Sequence, residues 1–490
     1  MRHGNTRAGA ALCLAALLAA SGMPACAGSR RALPEWPGAP ARARNVILFI
    51  GDGMGISTLT AARIFEGQRR GESGEENALS FEEFPYTALV KTYNTDAQVP
   101  DSAGTMTAIV TGVKTRAGML SVGPEAARGD PVAARAHLLR TLFEEAELRG
   151  LATGFVTTTR LTHATPAACY AHSPDRDWEH DASLPEAARR AGYPDIARQL
   201  IEFPFGDGPE LALGGGRERF WPRGESDPEQ PETSGERDDG RNLAREWVER
   251  RPGGAFVWNR AQLLALEPAR TTRVLGLFER SHMHFEHERA ADAGGEPSLA
   301  EMTRFALDLL EPRAEGYLLM IEGGRIDHAH HQANAYRALA ETVALSDAVR
   351  VAAERSDPAE TLIVVTADHS HTLTLGGHPA RGNPILGWAV ALDERGGREV
   401  ERDGSGQPFT SLAYANGPMA AGAGRRARDG VDPEAPDYRQ EYLVPLAQET
   451  HAGEDVAVFA RGPGAEAVRG LHEQSWVHGV IAAALGWSSD

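Results

Sequence analysis

The stretch at residues 45–55 constrains the fold more than any other part of the chain. Residues 46–50 are all apolar, and a glycine-rich turn that carries a single carboxylate, Asp52, follows them. An apolar run bounded by glycine is typical of a strand buried on both faces of a parallel sheet. Ligands of open α/β sheets bind beyond the carboxyl ends of such strands. Asp52 is therefore a candidate ligand contact, and capping of the next helix is the alternative.

Further apolar strands alternate with helical patterns along the chain. This alternation predicts an α/β fold with a doubly wound, mostly parallel central sheet and helices on both faces. We expect strands near residues 88–93, 152–156, 211–213, 317–321, 362–366 and 456–460. We expect helices near residues 56–68, 102–113, 136–149, 184–201, 299–310 and 471–485, and a long helix that ends near 355.

Two segments depart from this pattern. Residues 376–449 are rich in Gly, Pro and Arg, with weak periodicity, and predict a small insertion. Residues 222–241 carry many carboxylates and three prolines, and predict a long surface excursion that is ordered only if something such as a cation ties it down.

The N-terminus is typical of an export signal. Arg2 and Arg7 precede an apolar run at residues 8–20 that is too short to span a membrane, and small residues follow. We predict a signal peptide at 1–27, a linker arm at 28–44 and one main domain at 45–490. Cleavage after Ala27 and lipid attachment to Cys26 are both open, so the protein is expected to be periplasmic or secreted, and membrane-bound only if Cys26 is lipidated. Cys169 alone remains in the main domain, which excludes a disulfide framework.

Charge and ligand chemistry narrow the range of possible functions. A formal net charge of −18 argues against binding to a nucleic-acid backbone. Mixed histidine and carboxylate ligands suit zinc, whereas an all-oxygen set such as Asp52, Thr165 and Glu322 suits magnesium. Asp327 and His331 are four residues apart, on one face of a helix. The candidate metal ligands near the ends of predicted strands are Asp52, Glu322, Asp327, His331, Asp368, His369, His371 and His451.

Six short motifs stand out in the sequence. They are FIGDGMG at 49–55, VPDSAGT at 99–105, VTTTR at 156–160, IEGGRIDH at 321–328, TADHSH at 366–371 and THAGEDV at 450–456. Together they resemble the alkaline phosphatase family, and its animal-type members most closely. The resemblance covers about residues 45–486.

This resemblance implies metal-dependent hydrolysis of phosphate monoesters through a phosphoserine on Ser102, with Arg176 binding the phosphate. It also implies three metal sites and a group of residues that support them. One Zn²⁺ would be held by Asp327, His331 and His451, a second by Asp52, Asp368 and His369, and one Mg²⁺ by Asp52, Thr165 and Glu322. The supporting residues would be Asp101, His163, His328 and His371.

The resemblance further implies a calcium site and a dimer. The calcium ligands would be Glu229, Phe278, Glu279 and Glu296, and a solvated acidic loop is the alternative. The 376–449 insertion resembles the crown that helps to form the family's homodimer. Small phosphorylated molecules are the expected substrates.

Two other functions are weighed against this one. A phosphodiesterase or phosphonate hydrolase of the same superfamily would share the metal ligands, but the small residues around Ser102 favour monoesters. An exported zinc-binding or phosphate-binding protein without turnover would lack part of the catalytic set, whereas every expected position is filled here.

Overall fold

The structure is a computed structural model that describes residues 42–250, 252–313, 315–418 and 430–487. All of these residues belong to one compact unit, Ala39–Asp490. The predicted signal peptide and most of the predicted arm lie outside the described residues, and so does part of the insertion. No helix within the described ranges is both long enough and apolar enough to cross a bilayer.

Most strands belong to one ten-stranded sheet. The strands are β1 Asn45–Gly51, β2 Tyr86–Lys91, β3 Ala152–Arg160, β4 Leu211–Gly215, β5 Gly254–Val257, β6 Arg273–Leu277, β7 Tyr317–Gly323, β8 Thr361–Ala367, β9 Ser370–His371, β10 Leu373–Leu375, β11 Val390–Leu392, β12 Arg398–Val400, β13 Leu412–Pro418, β14 Glu441–Leu446, β15 His451–Ala452, β16 Val456–Arg461 and β17 Gly470–Glu473.

Helices of different lengths surround this sheet. They are α1 Ile56–Arg69, α2 Ser102–Thr111, α3 Pro131–Ala136, α4 Leu142–Leu148, α5 Ala164–Tyr170, α6 Glu186–Arg190, α7 Ile196–Ile201, α8 Arg217–Phe220, α9 Leu243–Arg250, α10 Arg260–Ala265, α11 Leu299–Leu310, α12 Arg325–His331, α13 Ala335–Arg355 and α14 Trp476–Ala484.

The large sheet is mostly parallel, as predicted. Its order is β17-β2-β16-β8-β1-β7-β3-β4-β6-β5, and only β16 runs antiparallel to its neighbours β8 and β2. The strand β1 lies between β7 and β8, and residues 46–51 are buried on both faces. The α/β fold class is therefore confirmed, and the opening apolar stretch forms a central strand.

Two predicted helices are each two separate helices in the structure. The prediction of one helix at 136–149 is wrong because Thr141 starts a new helix. Its hydroxyl accepts the N–H of Glu144 at 3.1 Å, and the Glu144 carboxylate accepts the N–H of Thr141 at 3.0 Å. The prediction of one helix at 184–201 is wrong for a similar reason, because Asp195 caps α7 by accepting the N–H of Arg198.

Two other helix predictions need correction. Residues 470–473 form the edge strand β17, so the last helix begins only at Trp476. The predicted long helix that ends near 355 is confirmed as α13, and Ala333, with a φ of 52°, separates it from the short helix α12. The helix at Ser102 ends at Thr111 because Gly112 takes the left-handed conformation, with a φ of 76°. The strands β5 and β6 were not predicted.

Small sheets lie in and beside the insertion. The strands β13 and β14 of the insertion form a three-stranded sheet with β10, which ends just before residue 376, and β11 pairs with β12. These short, partly exposed strands agree with the prediction of a small insertion beside the main sheet. The boundaries of the insertion and of the main domain remain predictions.

The acidic excursion at 222–241 is held by guanidinium groups. The Arg217 side chain is fully buried and donates to both carboxylate oxygens of Asp227, at 2.7 and 2.8 Å. It also donates to Glu229 at 2.5 Å. The Arg237 side chain is equally buried and donates to both oxygens of Asp195 at 3.0 Å. The side chains of Arg217 and Arg237 therefore supply positive charge that orders this segment.

Candidate active site

Ser102 is the first residue of α2, but it does not cap that helix. The cap is Asp101, whose carboxylate accepts the N–H of Gly104 at 3.1 Å. The Ser102 hydroxyl is nearly buried and lies 3.2 Å from His369 Nε2 and 3.5 Å from Asp52 Oδ1. Ser102 is therefore not the helix cap, and its hydroxyl points into a group of metal-ligand side chains.

The side chains predicted to hold the second zinc lie together. In the sheet, Gly51 of β1 is paired with Ala367 of β8, so the next residues, Asp52 and Asp368, lie side by side. His369 Nε2 lies 3.4 Å from Asp52 Oδ1 and 3.3 Å from Asp368 Oδ2. The N–H of Gly53 donates to Asp368 at 3.0 Å and fixes the orientation of that carboxylate.

The side chains predicted to hold the first zinc also converge. Asp327 and His331 share α12, and Asp327 Oδ1 lies 3.4 Å from His331 Nε2 and 3.2 Å from His451 Nε2. His371 Nε2 lies 2.7 Å from the same oxygen, so this predicted supporting residue sits among the ligands. The other His371 nitrogen lies 2.6 Å from Glu449, which is fully buried. The sequence analysis did not identify Glu449, although it precedes His451 by two residues.

The oxygen ligands predicted for magnesium form a third group. Glu322 is the penultimate residue of β7, and a ligand oxygen of Glu322, one of Asp52 and a nitrogen of His163 lie within 4.8 Å of one another. The hydroxyl groups of Thr157 and Thr159 both donate to the Glu322 carboxylate, the latter at 3.2 Å. Neither threonine was predicted as a site residue, although both belong to the motif at 156–160.

These oxygen atoms fit bound cations. Among the described residues, Asp52 Oδ2, Glu322 Oε1 and the Thr165 hydroxyl are buried and have no hydrogen-bond partner. Burial, followed by repulsion from Asp368 and Asp327, raises the pKa of Asp52 well above its ordinary value. Burial also raises the pKa of Glu322 to about 7. Buried carboxylates without partners are costly, and divalent cations at these atoms would remove the cost.

Arg176 lies beside this group. Its Nη1 donates to Asp101 Oδ2 at 3.1 Å, and its Nη2 donates to His163 Nε2 at 3.1 Å. Burial opposes ionisation of Asp101, but the Arg176 guanidinium and the N–H groups of Gly118 and Gly104 outweigh it and lower the Asp101 pKa. Asp101 therefore both caps α2 and positions Arg176.

Three histidine rings form a cluster, and one of them, His163, contacts Arg176. The ring centroids of His163 and His328 are 5.4 Å apart, and those of His282 and His328 are 4.3 Å apart. Burial lowers the pKa of His328 to about 3 and lowers the pKa of the other two well below the ordinary value. The rings are therefore neutral at neutral pH. The sequence analysis missed His282 because no motif surrounds it.

The residues predicted to bind calcium do not form one group. Phe278 and Glu279 directly follow β6. Glu279 lies in one group with Glu229 and Asp292 and in another group with His284 and Glu296. Asp292 and His284 were not predicted to be ligands.

Comparisons with known proteins agree on one family. The model of the alkaline phosphatase family matches residues 43–487. The tissue-nonspecific alkaline phosphatase of Gallus gallus is 45% identical over 451 residues, which cover 90% of this chain and 84% of that protein. The alkaline phosphatase of Gadus morhua is 44% identical over 452 residues, with 90% and 92% coverage.

Solved structures share the fold. The alkaline phosphatase of Thermus thermophilus superposes with a TM-score of 0.66 at 24% identity, covering 96% of this chain and 97% of that one. The enzyme of the Antarctic bacterium TAB5 superposes with a TM-score of 0.61 at 20% identity, with 92% and 100% coverage. These likenesses support the α/β architecture.

Proposed function

The chain belongs to the alkaline phosphatase family and is a metal-binding hydrolase of phosphate monoesters, and we propose that Ser102 is its nucleophile. One observation carries the assignment. The Ser102 hydroxyl lies between Asp52 and His369 at the N-terminus of α2, while Asp101 provides the helix cap. The proposed path runs through a phosphoserine at this residue.

We assign the metals by ligand chemistry. The set of Asp327, His331 and His451 and the set of Asp52, Asp368 and His369 mix imidazole with carboxylate, which suits Zn²⁺. The oxygen set of Asp52, Thr165 and Glu322 suits Mg²⁺. When bound, these ions would supply Lewis acidity to the serine hydroxyl and to the leaving oxygen.

The remaining steps belong to the chain's own residues. Arg176, held by Asp101, binds two phosphate oxygens through its planar guanidinium. The N-terminus of α2 favours the negative charge that builds up beside Ser102. Ser102 Oγ loses its proton to solvent and attacks phosphorus, and the alcohol leaves with a proton from solvent. Water then attacks the phosphoserine, Ser102 regains a proton, and phosphate is released.

The cellular setting is part of the same proposal. We propose export to the periplasm or the medium, with lipid anchoring only if Cys26 is modified, and small phosphorylated molecules as substrates. We also propose a homodimer that uses the insertion. Exposed apolar side chains on β14, Leu443 and Val444, support that interface. Sedimentation of the mature protein distinguishes a dimer from a monomer.

Replacing the nucleophile tests the mechanism. We expect Ser102→Ala to lower kcat on an aryl phosphate monoester by at least about 10⁴-fold, because removing the nucleophile of an unrelated two-step serine hydrolase costs more than this. Zinc and magnesium contents should be unchanged. The matched control is Ser298→Ala, which removes the cap of α11 and should cost only about 1 kcal/mol of stability.

Two results would contradict this assignment. One is full activity of Ser102→Ala, which would exclude the serine as nucleophile. The other is a kcat/KM for aryl phosphate diesters well above that for monoesters, which would favour the phosphodiesterase alternative.

A further inference from the structure

A second group of metal-ligand side chains lies outside the catalytic pocket, in the loop after β6. It consists of Glu279, His284 and Glu296. His284 Nδ1 lies 3.2 Å from Glu296 Oε1 and 3.8 Å from Glu279 Oε2. Among the described residues, Glu279 Oε2 has no hydrogen-bond partner, although the Glu279 side chain is nine-tenths buried. A buried carboxylate oxygen without a partner is costly, and a bound cation would remove that cost.

The calcium site implied by the family does not fit this arrangement. Calcium takes six to eight oxygen ligands. The calcium site that the family resemblance implies includes Glu229. In this chain Glu229 lies 2.5 Å from the buried Arg217 guanidinium, which it shares with Asp227, so part of its charge is already balanced by the chain itself. Asp292, which lies near Glu229 and Glu279, accepts the N–H of Gly295 at 2.6 Å.

We propose that Glu279, His284 and Glu296 bind a transition-metal dication, with Zn²⁺ as the best match, in place of calcium. Imidazole nitrogen combined with two carboxylates is a ligand set typical of zinc, whereas calcium rarely accepts nitrogen. The two carboxylates balance the charge of one dication. His284 is 41% exposed, so the ion can enter from solvent and keep a water as a further ligand.

The loop that carries these ligands is already rigid. Phe285, the residue after His284, is buried between two guanidinium groups, with Arg325 at 3.8 Å and Arg337 at 4.7 Å from its ring centroid. Glu296 accepts the N–H of His284 at 3.0 Å, which draws together two ends of the loop. Because little ordering is needed on binding, an added ion should raise the thermal stability of the protein.

Metal content of matched histidine variants tests the proposal. Wild type, His284→Ala and His287→Ala are purified with excess Zn²⁺ and dialysed together against Mg²⁺ buffer, and zinc per chain is then measured. His287 is the control because it lies three residues further along and contacts Glu288 instead of the cluster. We expect His284→Ala to hold one fewer zinc per chain than the other two, and to lose the rise in Tm that Zn²⁺ gives the wild type.

Two outcomes would overturn the proposal. The first is equal zinc content in all three proteins. The second is a rise in wild-type Tm with Ca²⁺ that persists in His284→Ala and disappears in Glu229→Gln, which would restore the calcium assignment. Hydrolysis of an aryl phosphate should be unchanged in His284→Ala, so this test is separate from that of Ser102.

Discussion

Two acidic regions of the molecule neutralise their charge differently. In the catalytic pocket, Asp52 Oδ2 and Glu322 Oε1 are buried without a hydrogen-bond partner among the described residues. In the excursion at 222–241, Asp227 and Glu229 contact the fully buried guanidinium of Arg217. The excursion therefore contains its own cation, whereas the pocket depends on ions from solution. In these two regions, the arginine contact accompanies a structural role, and the unpartnered buried oxygens accompany the proposed metal sites.

The two regions should also respond differently to the loss of metal ions and to the loss of Arg217. An isolated buried carboxylate costs several kcal/mol, and breaking a buried ion pair costs about 3–5 kcal/mol. Removing metal ions should therefore damage the pocket and leave the excursion intact. Removing Arg217 should do the reverse.

Metal removal is expected to have the largest effect. Dialysis against a chelator should lower kcat on an aryl phosphate by at least about 10³-fold, since even a single electrostatic group in an active site contributes about 10²–10³-fold. Zn²⁺ and Mg²⁺ added together should restore activity. Full activity in protein shown to be free of metal would refute the metal assignment.

Loss of the buried arginine is expected to have the next largest effect. Arg217→Met leaves Asp227 buried without a cation, and should lower the free energy of unfolding by about 3–5 kcal/mol both with and without metal ions. Denaturant unfolding measures this loss. The control Arg223→Met removes an exposed pair with Asp238 and should cost less than about 1 kcal/mol. Equal losses for the two variants would contradict the structural role of Arg217.

The buried carboxyl group of Glu341 avoids the cost of a buried charge in another way, by keeping its proton. Burial raises the pKa of Glu341 from 4.5 to about 8. The folded state thus holds a proton that the unfolded state releases, so the contribution to stability is full below pH 4.5 and is lost as the pH rises through 8. At pH 9, Glu341→Gln should be more stable than wild type by up to about 5 kcal/mol, and at pH 5 nearly equal to it.

Denaturant unfolding at both pH values measures this difference, with Glu354→Gln on the exposed side of the same helix as control. A pH-independent difference between Glu341→Gln and wild type would mean that Glu341 is ionised in the fold.

The main elements of the fold follow from local patterns. The apolar runs of β1, β7 and β8 are long, buried on both faces and bounded by glycine or polar residues, which is why the sequence identifies them. The edge strands are different. The short β5 and the exposed β17 are strands because they pair with β6 and β2. Such long-range pairing cannot be read from a few residues.

The residues of the site also divide into those that the sequence identifies and those that only the fold brings into place. Ser102, the proposed ligands and Arg176 were identified because their motifs resemble one family. Glu449, Thr157 and His282 acquire their contacts only when distant segments meet in the fold. The guanidinium groups that order the acidic excursion were missed because nothing in the local sequence shows that Arg217 is buried.

The most direct test of the central claim is the stability of Glu322→Gln with and without metal ions. At pH 8, above the Glu322 pKa of about 7, the carboxylate of the metal-free wild type is largely ionised, and its Oε1 has no hydrogen-bond partner among the described residues. We predict that the variant is more stable than wild type by about 1–2 kcal/mol in chelator and less stable than wild type with Mg²⁺ and Zn²⁺ present. A variant destabilised equally in both conditions would contradict the account, because Glu322 would then be a structural hydrogen-bond acceptor.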